Sequence, residues 1–126
     1  MPHHVSKARF AELVEKAAAG LPTQFSNALI EVPIEIRDRP STKMLRSLGL
    51  EDDELLLGLY HGRPRTERSI EDSGRLPDVI YIYQEDVELV SENEADLIEQ
   101  VRTTVLHELG HHFGMSEEDL DELGYG

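Results

Sequence analysis

The stretch HELGHHFGMSEEDL occupies residues 107–120, and it decides both the fold and the chemistry that the sequence predicts. His107 and His111 are four positions apart in it. On a helix, side chains at this spacing lie one turn apart, with Cβ atoms about 5–6 Å from each other, so two imidazoles can bind one ion. Zn²⁺ suits such a pair, because it takes histidine nitrogens at about 2.0–2.1 Å. We therefore predict that His107 and His111 are zinc ligands.

Glu108 follows the first histidine directly, so its side chain is turned about 100° round the helix and can reach the outer shell of the ion. Zinc lowers the pKa of a bound water to about 7, and a carboxylate placed there can accept its proton and return it to a leaving amine. We predict Glu108 as this general base. The alternative interpretation is that His107 and His111 are surface histidines stabilised by the helix C-terminus. His112 points away from the ligand face, and we expect it to be structural or exposed.

The two histidines lie near the end of a long predicted helix. Ser91 and Glu94 have the spacing of a capping box, which begins a helix by satisfying two N–H groups. Gly114 supplies the left-handed residue that ends it. The apolar stripe that should face the core comprises Ile98, Val101, Val105, Leu109 and Phe113. His107 and His111 lie on another stripe, as expected for a metal site at the edge of a core.

The rest of the chain combines helical and strand patterns. Apolar residues recur at helical spacing through residues 6–22, which predicts an amphipathic helix. Residues 28–40 alternate apolar and polar side chains, which predicts a strand, and Pro33 favours an edge or bulged position. Further along we predict a short helical turn at 41–54, strands at 55–62 and 78–84, and a polar loop over the sheet at 63–77. These elements indicate an α+β fold in one domain covering residues 1–126, because a chain of this length builds one core.

The composition excludes several kinds of site and partner. Lys and Arg number 12 against 26 Asp and Glu, and the net charge of −14 repels phosphate backbones, so we expect no nucleic-acid partner. The sequence has no cysteine, so a transition-metal site must use His, Asp or Glu. No apolar run approaches the roughly 20 residues of a membrane span, and the start lacks the apolar region of a signal peptide. We therefore expect a cytoplasmic protein without a membrane partner. The pair His3 and His4 near the terminus is expected to be inert.

The segment HELGHHFGMSE resembles the extended zinc-protease signature H-E-x-x-H-x-x-G-x-x-(H/D). Gly114 matches the glycine of the signature, and Glu117 falls at the third-ligand position, where the signature has His or Asp. The longer glutamate side chain leaves Glu118 and Asp119 as alternative ligands. Ser116 followed by three acidic residues also has the pattern of an N-cap and first turn of a final short helix.

Three segments together resemble the small bacterial zincin-like metallopeptidases. They are LLGLYHGRP at 56–64, LPDVIYIYQ at 76–84 and TTVLHELGHHFGMSEEDLDELG at 103–124. The resemblance implies a zincin-like fold, in which a small twisted mixed sheet packs on helices and a cleft separates an edge strand from the metal. It also implies that substrate backbone pairs with that edge strand, for which 55–62 and 78–84 are both candidates. The sequence departs from the metzincin pattern because it lacks a downstream Met-turn.

The leading hypothesis is a zinc-dependent peptidase that acts on a peptide or protein substrate. In this hypothesis His107, His111 and Glu117 bind Zn²⁺, and Glu108 acts as the base. The alternative is a non-catalytic metal-binding or interaction module, which four protein ligands closing the coordination shell would indicate. A metal-dependent RNA endonuclease with a similar histidine motif is a third hypothesis. That type uses a third histidine, and a net charge of −14 disfavours RNA.

Overall fold

The computed structural model of the protein describes residues 2–62 and 78–122, apart from the side chains of Glu117 and Asp121. Within these ranges the chain forms six helices and a three-stranded sheet. The helices are α1 (Lys7–Ala19), α2 (Thr23–Ala28), α3 (Thr42–Ser47), α4 (Gln84–Val90), α5 (Glu94–His112) and α6 (Glu117–Glu122). The strands are β1 (Ile34–Arg37), β2 (Gly58–His61) and β3 (Val79–Tyr83). The loop predicted at 63–77 lies outside the described residues.

The sheet is mixed, with strand order β1-β3-β2. Strand β1 pairs with β3 in parallel, and β2 pairs with β3 in antiparallel. Among the described strands β3 is therefore central, and β1 and β2 are the edges. Of the two candidates for the substrate-pairing edge strand, 78–84 is thus excluded and 55–62 remains. The edge position predicted from Pro33 also agrees with the place of β1.

Helices α1 and α5 pack together and close the core over the sheet. The predicted stripe on α5 is correct in its centre, where Val101, Val105 and Leu109 are fully buried. Each such side chain contributes about 1.5–3 kcal/mol when it leaves water. Their buried partners include Phe10, Leu13, Ile80, Ile82, Val87, Leu97 and Leu106. This packing fixes α5 beside β2, and the polar stripe of the helix is left at the edge of the core.

The strand predicted at 28–40 begins later than the alternation suggests. Its first four residues belong to the end of α2 and a turn, where Ile30 is 85% exposed. Val32 is buried, but its N–H donates to the Ala28 carbonyl at 3.0 Å, as in a helical turn. The strand itself is Ile34–Arg37. The two-residue period before Pro33 therefore arises by chance at the end of a helix and does not mark a strand.

Helix α5 begins at Glu94 with Asn93 as its N-cap, so the predicted capping role of Ser91 is wrong. The Asn93 side chain accepts a hydrogen bond from the Asp96 N–H at 2.8 Å. The Ser91 hydroxyl instead donates to the Val87 carbonyl at 2.7 Å and closes the end of α4. Two polar residues compete for the cap in this segment, and asparagine at Ncap is as favourable as serine.

The buried carboxylate of Glu88 ties the N-terminal segment to α4. It accepts hydrogen bonds from the Val5 N–H at 3.0 Å and from Gln84 Nε2 at 3.1 Å, and His4 Nδ1 lies 3.1 Å from it. Burial raises the pKa of Glu88, but these hydrogen bonds outweigh burial and lower the pKa below its ordinary value. Residues ahead of α1 are therefore held by hydrogen bonds to a carboxylate whose ionised form is favoured.

Candidate metal centre

Helix α5 brings three predicted site residues together near its C-terminus. His107, Glu108 and His111 each offer a ligand atom, and these atoms lie within 4.8 Å of one another. The two imidazole rings have centroids 4.9 Å apart and planes inclined by 68°. Their side chains are 26% and 33% exposed. The helix thus presents both predicted ligands at an accessible edge of the core.

The donor set at this edge fits a zinc ion. Two imidazoles one helical turn apart supply nitrogen ligands of the type that zinc takes in catalytic sites. Glu108 Oε2 lies 3.9 Å from His107 Nε2, and Glu108 Oε1 lies 3.6 Å from His111 Nδ1. Both distances exceed the hydrogen-bond range. The carboxylate therefore lies beside the two rings without a hydrogen bond to either of the two nitrogens. This is the position predicted for a group in the outer shell of an ion that the histidines bind.

The carboxylate of Glu108 is buried and held by the main chain of β2. Glu108 is only 7% exposed, and its Oε1 accepts a hydrogen bond from the Tyr60 N–H at 2.7 Å. Burying a carboxylate is costly unless such charge-assisted bonds offset the loss of water. The bond directs one oxygen to β2, and the other oxygen lies on the side of His107.

Strand β2 can approach α5 this closely because residue 58 is glycine. A Cβ at Gly58 would lie 2.6 Å from Thr104 Cγ2 and 2.9 Å from the Tyr81 carbonyl oxygen, which is closer than real Cβ contacts. Thr104 is one helical turn before Glu108 on α5. The absence of a side chain at Gly58 therefore sets the distance between the strand and the metal-site helix.

Helix α5 ends in a Schellman motif that reverses the chain. Gly114 has φ 78°, the left-handed region in which glycine has no steric cost. Its N–H donates to the His111 carbonyl at 3.0 Å, and the Met115 N–H donates to the Gly110 carbonyl at 2.9 Å. These two bonds define the motif. The predicted stop at Gly114 is confirmed, and it sends the following residues back along the helix.

Helix α6 then packs on the last turns of α5 through Leu120. This side chain is fully buried. It lies so close to Gly110 that a Cβ there would collide with it. Position 117 is the first residue of α6 and lies three residues before Leu120. The contact between Leu120 and Gly110 therefore keeps the segment that carries the third predicted ligand beside the helix that carries the other two.

Glu118 and Asp119, the alternatives to Glu117 as third ligand, lie outside the cluster of His107, Glu108 and His111. The side chain of Glu117 lies outside the described part of the structure, whereas Glu118 and Asp119 are described and exposed. Among the described side chains, the group that could hold a metal contains neither of them. Asp119 accepts the Ser116 N–H at 3.0 Å, and Ser116 Oγ accepts the Asp119 N–H at 3.1 Å. Hydrogen bonding of the Ser116 main chain and side chain to the Asp119 carboxylate lowers the pKa of Asp119. The expected cap by Ser116 is present, and it engages Asp119.

A second polar cluster, which the sequence analysis missed, lies next to the site. The Tyr60 hydroxyl donates to Asp78 Oδ2 at 2.5 Å, and His112 Nδ1 lies 3.2 Å from the same oxygen. Asp78 and His112 are both buried, so of the two environments expected for His112 the structural one is correct. The sequence feature that could have indicated this cluster is Asp78, an acidic residue directly before the apolar strand VIYIY. No spacing rule connects it with the other two residues.

The sequence of this chain matches the model of a known protein family. The family model described as zincin-like metallopeptidase matches residues 29–126, which include the sheet, α5 and α6. The chain belongs to the zincin-like metallopeptidases. The predicted family and the predicted α+β fold are thereby confirmed.

The zincin-like chain is also similar to a solved structure. This is a conserved hypothetical protein from T. thermophilus, with 27% identical residues and a TM-score of 0.55. The similarity covers 94% of the present chain and 97% of the other. No curated protein matches the chain. None of the helices in the described ranges is both long and apolar enough to cross a lipid bilayer.

Proposed function

We propose that this zincin-like protein is a zinc-dependent peptidase that cleaves peptide bonds in a peptide or protein substrate. The observation that carries the proposal is the cluster of His107, Glu108 and His111, whose ligand atoms lie within 4.8 Å of one another. The partly exposed imidazoles and the buried carboxylate have the arrangement that hydrolysis at a zinc site needs. Membership of the zincin-like metallopeptidases supports the same reaction class.

The proposed ligands are His107 and His111 from α5 and Glu117 from the start of α6. The engagement of Asp119 in the cap of α6 favours Glu117 over that alternative. Zinc at these ligands supplies Lewis acidity, which lowers the pKa of a water ligand to about 7 and polarises a substrate carbonyl. Three protein ligands are the usual number in a catalytic zinc site.

Glu108 is the proposed general base. Its Oε1 is held by the Tyr60 N–H, so Oε2 on the His107 side is the oxygen in position to accept a proton from water. The same oxygen returns the proton to the leaving amine when the peptide bond breaks. Glutamine in place of Glu108 keeps the shape and loses the basic oxygen.

The side of β2 that no described strand covers is the proposed place for substrate backbone. The Tyr83 N–H donates to the Leu57 carbonyl at 3.0 Å, and hydrogen bonding alternates along an antiparallel pair. The main-chain groups of Leu59 are thus directed to β3, whereas those of Gly58 and Tyr60 are directed to the other side of β2, where the Tyr60 N–H already donates to Glu108. An extended peptide that adds to this edge lies beside Glu108, the mode of recognition called β-augmentation.

Metal content and turnover test the proposal in two steps. Purified wild-type protein should bind one zinc ion, and His107→Ala should lose it, whereas His61→Ala on β2 should not. Glu108→Gln should retain zinc and lose hydrolysis of a fluorogenic peptide library. Wild-type protein that binds no zinc contradicts the ligand assignment, and retained turnover in Glu108→Gln contradicts the assignment of the base. Cleavage of RNA and not of peptides would favour the endonuclease hypothesis.

A further inference from the structure

Tyr60 is fastened at both its main chain and its side chain to one face of α5. Its N–H donates to Glu108 Oε1 at 2.7 Å. Its hydroxyl lies 3.4 Å from His112 Nδ1 and donates to Asp78 Oδ2 at 2.5 Å. Glu108 and His112 are four positions apart on α5, so they share a face of the helix. This face lies beside the stripe of His107 and His111, and it is the face that meets β2.

The side-chain part of this arrangement is buried. His112 is 1% exposed and Asp78 is 6% exposed. Hydrogen bonds in such surroundings are strong, and a polar group left without its bond there is costly. A Cβ at Gly62 would collide with Asp78, so the glycine at the end of β2 lets the carboxylate sit against the strand. The cluster thus joins β2, the start of β3 and the end of α5.

We propose that Tyr60, Asp78 and His112 are positioning residues that fix the Glu108 carboxylate through the main chain of β2. Strand β2 is an edge among the described strands, so its pairing with β3 restrains it from one side only. The Tyr60 hydroxyl adds a second restraint, because it donates to Asp78 and contacts His112 of α5, which itself lies 3.2 Å from Asp78 Oδ2. These contacts hold the Tyr60 N–H where it donates to Glu108 Oε1, so that Glu108 Oε2 stays on the side of His107.

The consequence for catalysis rests on the proposed function, whereas the consequence for the strand does not. Glu108 transfers protons during the reaction, so a loosely held carboxylate lowers kcat, whereas a disturbed substrate edge on β2 would act on KM. Zinc content should stay unchanged, since the histidine ligands keep their places on α5. A purely structural role in the core would not produce a local loosening at the Tyr60 N–H.

Amide hydrogen exchange of the whole protein, measured residue by residue by NMR without added metal, tests the inference. Tyr60→Phe should accelerate exchange at residue 60 roughly fivefold to tenfold, the effect of weakening one buried hydrogen bond. Glu108→Ala removes the acceptor and should accelerate it at least as much. Tyr81→Phe is the matched control, because the Tyr81 ring packs against Arg37 and His61, and it should leave residue 60 unchanged.

Exchange at the Tyr83 N–H separates local loosening from global destabilisation, because this group bonds to the neighbouring Leu57 carbonyl. Acceleration at residue 60 beyond that at residue 83 supports the inference. If Tyr60→Phe does not fold, Asp78→Asn replaces it under the same criterion. Equal exchange at residue 60 in wild type and variant, while Glu108→Ala accelerates it, overturns the inference.

Kinetics on zinc-loaded protein provides the second readout. Tyr60→Phe should lower kcat roughly tenfold, by more than it changes KM, at unchanged zinc content, whereas Tyr81→Phe should behave as wild type. An unchanged kcat in Tyr60→Phe overturns the positioning role. If wild-type protein cleaves no peptide, the proposed function fails, and the exchange experiment still decides whether the cluster holds the strand against Glu108.

Discussion

Gly110→Ala places a methyl group against Leu120 on the contact between α5 and α6. The new Cβ would lie 3.0 Å from Leu120 Cδ1 and 3.1 Å from Cγ, and it would collide with Cδ2. Such overpacking costs about 1–3 kcal/mol. Alanine in place of a glycine inside a helix returns about 1 kcal/mol. The free energy of unfolding should therefore fall by about 0–2 kcal/mol, which is small beside the about 5–15 kcal/mol of an ordinary domain.

Gly110→Ala should also weaken metal binding. The methyl group pushes α6 away from α5, and the proposed third ligand Glu117 moves with it. We expect zinc affinity, measured by calorimetric titration, to fall at least about tenfold, while urea unfolding shows the modest change above. Gly20→Ala is the control, because a Cβ there meets its nearest atom, the Ala17 carbonyl oxygen, at 3.6 Å.

A double-mutant cycle with Leu120→Ala identifies the obstacle. In the Leu120→Ala background the methyl group at position 110 has room, so Gly110→Ala should stabilise the protein by about 1 kcal/mol through helix propensity alone. An equal cost of Gly110→Ala in both backgrounds would show that Leu120 is not the obstacle. Wild-type zinc affinity in Gly110→Ala would refute the argument that this contact positions the third ligand.

Three further predictions concern the free energy of unfolding. Gly58→Ala should destabilise the protein by about 1–3 kcal/mol in urea unfolding, because the Tyr81 main chain cannot yield as a side chain can. Asn93→Ala should cost about 1 kcal/mol in the same assay through loss of the α5 cap. Glu88→Gln should cost about 1–3 kcal/mol at pH 7. Since the folded pKa of Glu88 is lowered, this stabilisation is present above an unfolded pKa of about 4.3 and disappears as pH falls through the folded value. A difference between wild type and Glu88→Gln that does not shrink as the pH falls below the unfolded pKa would contradict the role of the ionised carboxylate.

The parts of the fold that sequence predicted are those with local causes. The stop of α5 at Gly114 and the strand at Val79–Tyr83 depend on residues within a few positions. Helix α4 was missed because its buried face carries Gln84, Asp86 and Glu88, so no apolar period marks it. These polar residues are bound by groups far along the chain, such as the Leu56 N–H that donates to Asp86.

The same division applies to the candidate site. His107, Glu108 and His111 come from one turn of helix, so their spacing predicted a shared site. The bond from Tyr60 to Glu108 spans 48 positions, and the contact of His112 with Asp78 spans 34. Such contacts depend on how β2 packs on α5. The glycine at position 58 allows this packing, but its place in the sequence does not indicate which helix the strand packs on. Sequence therefore predicted the cluster of His107, Glu108 and His111, and the structure added the contacts that Tyr60, Asp78 and His112 make beside it.

The X-ray absorption fine structure at the zinc edge of the zinc-loaded protein tests the central claim most directly. We predict two imidazole nitrogens at about 2.0–2.1 Å, one carboxylate ligand and a fourth position filled from solvent. His107→Ala should give no such spectrum, because this variant should lose the zinc ion. A spectrum with no imidazole, or with four protein ligands closing the shell, would contradict the account of this helix as a hydrolytic zinc site.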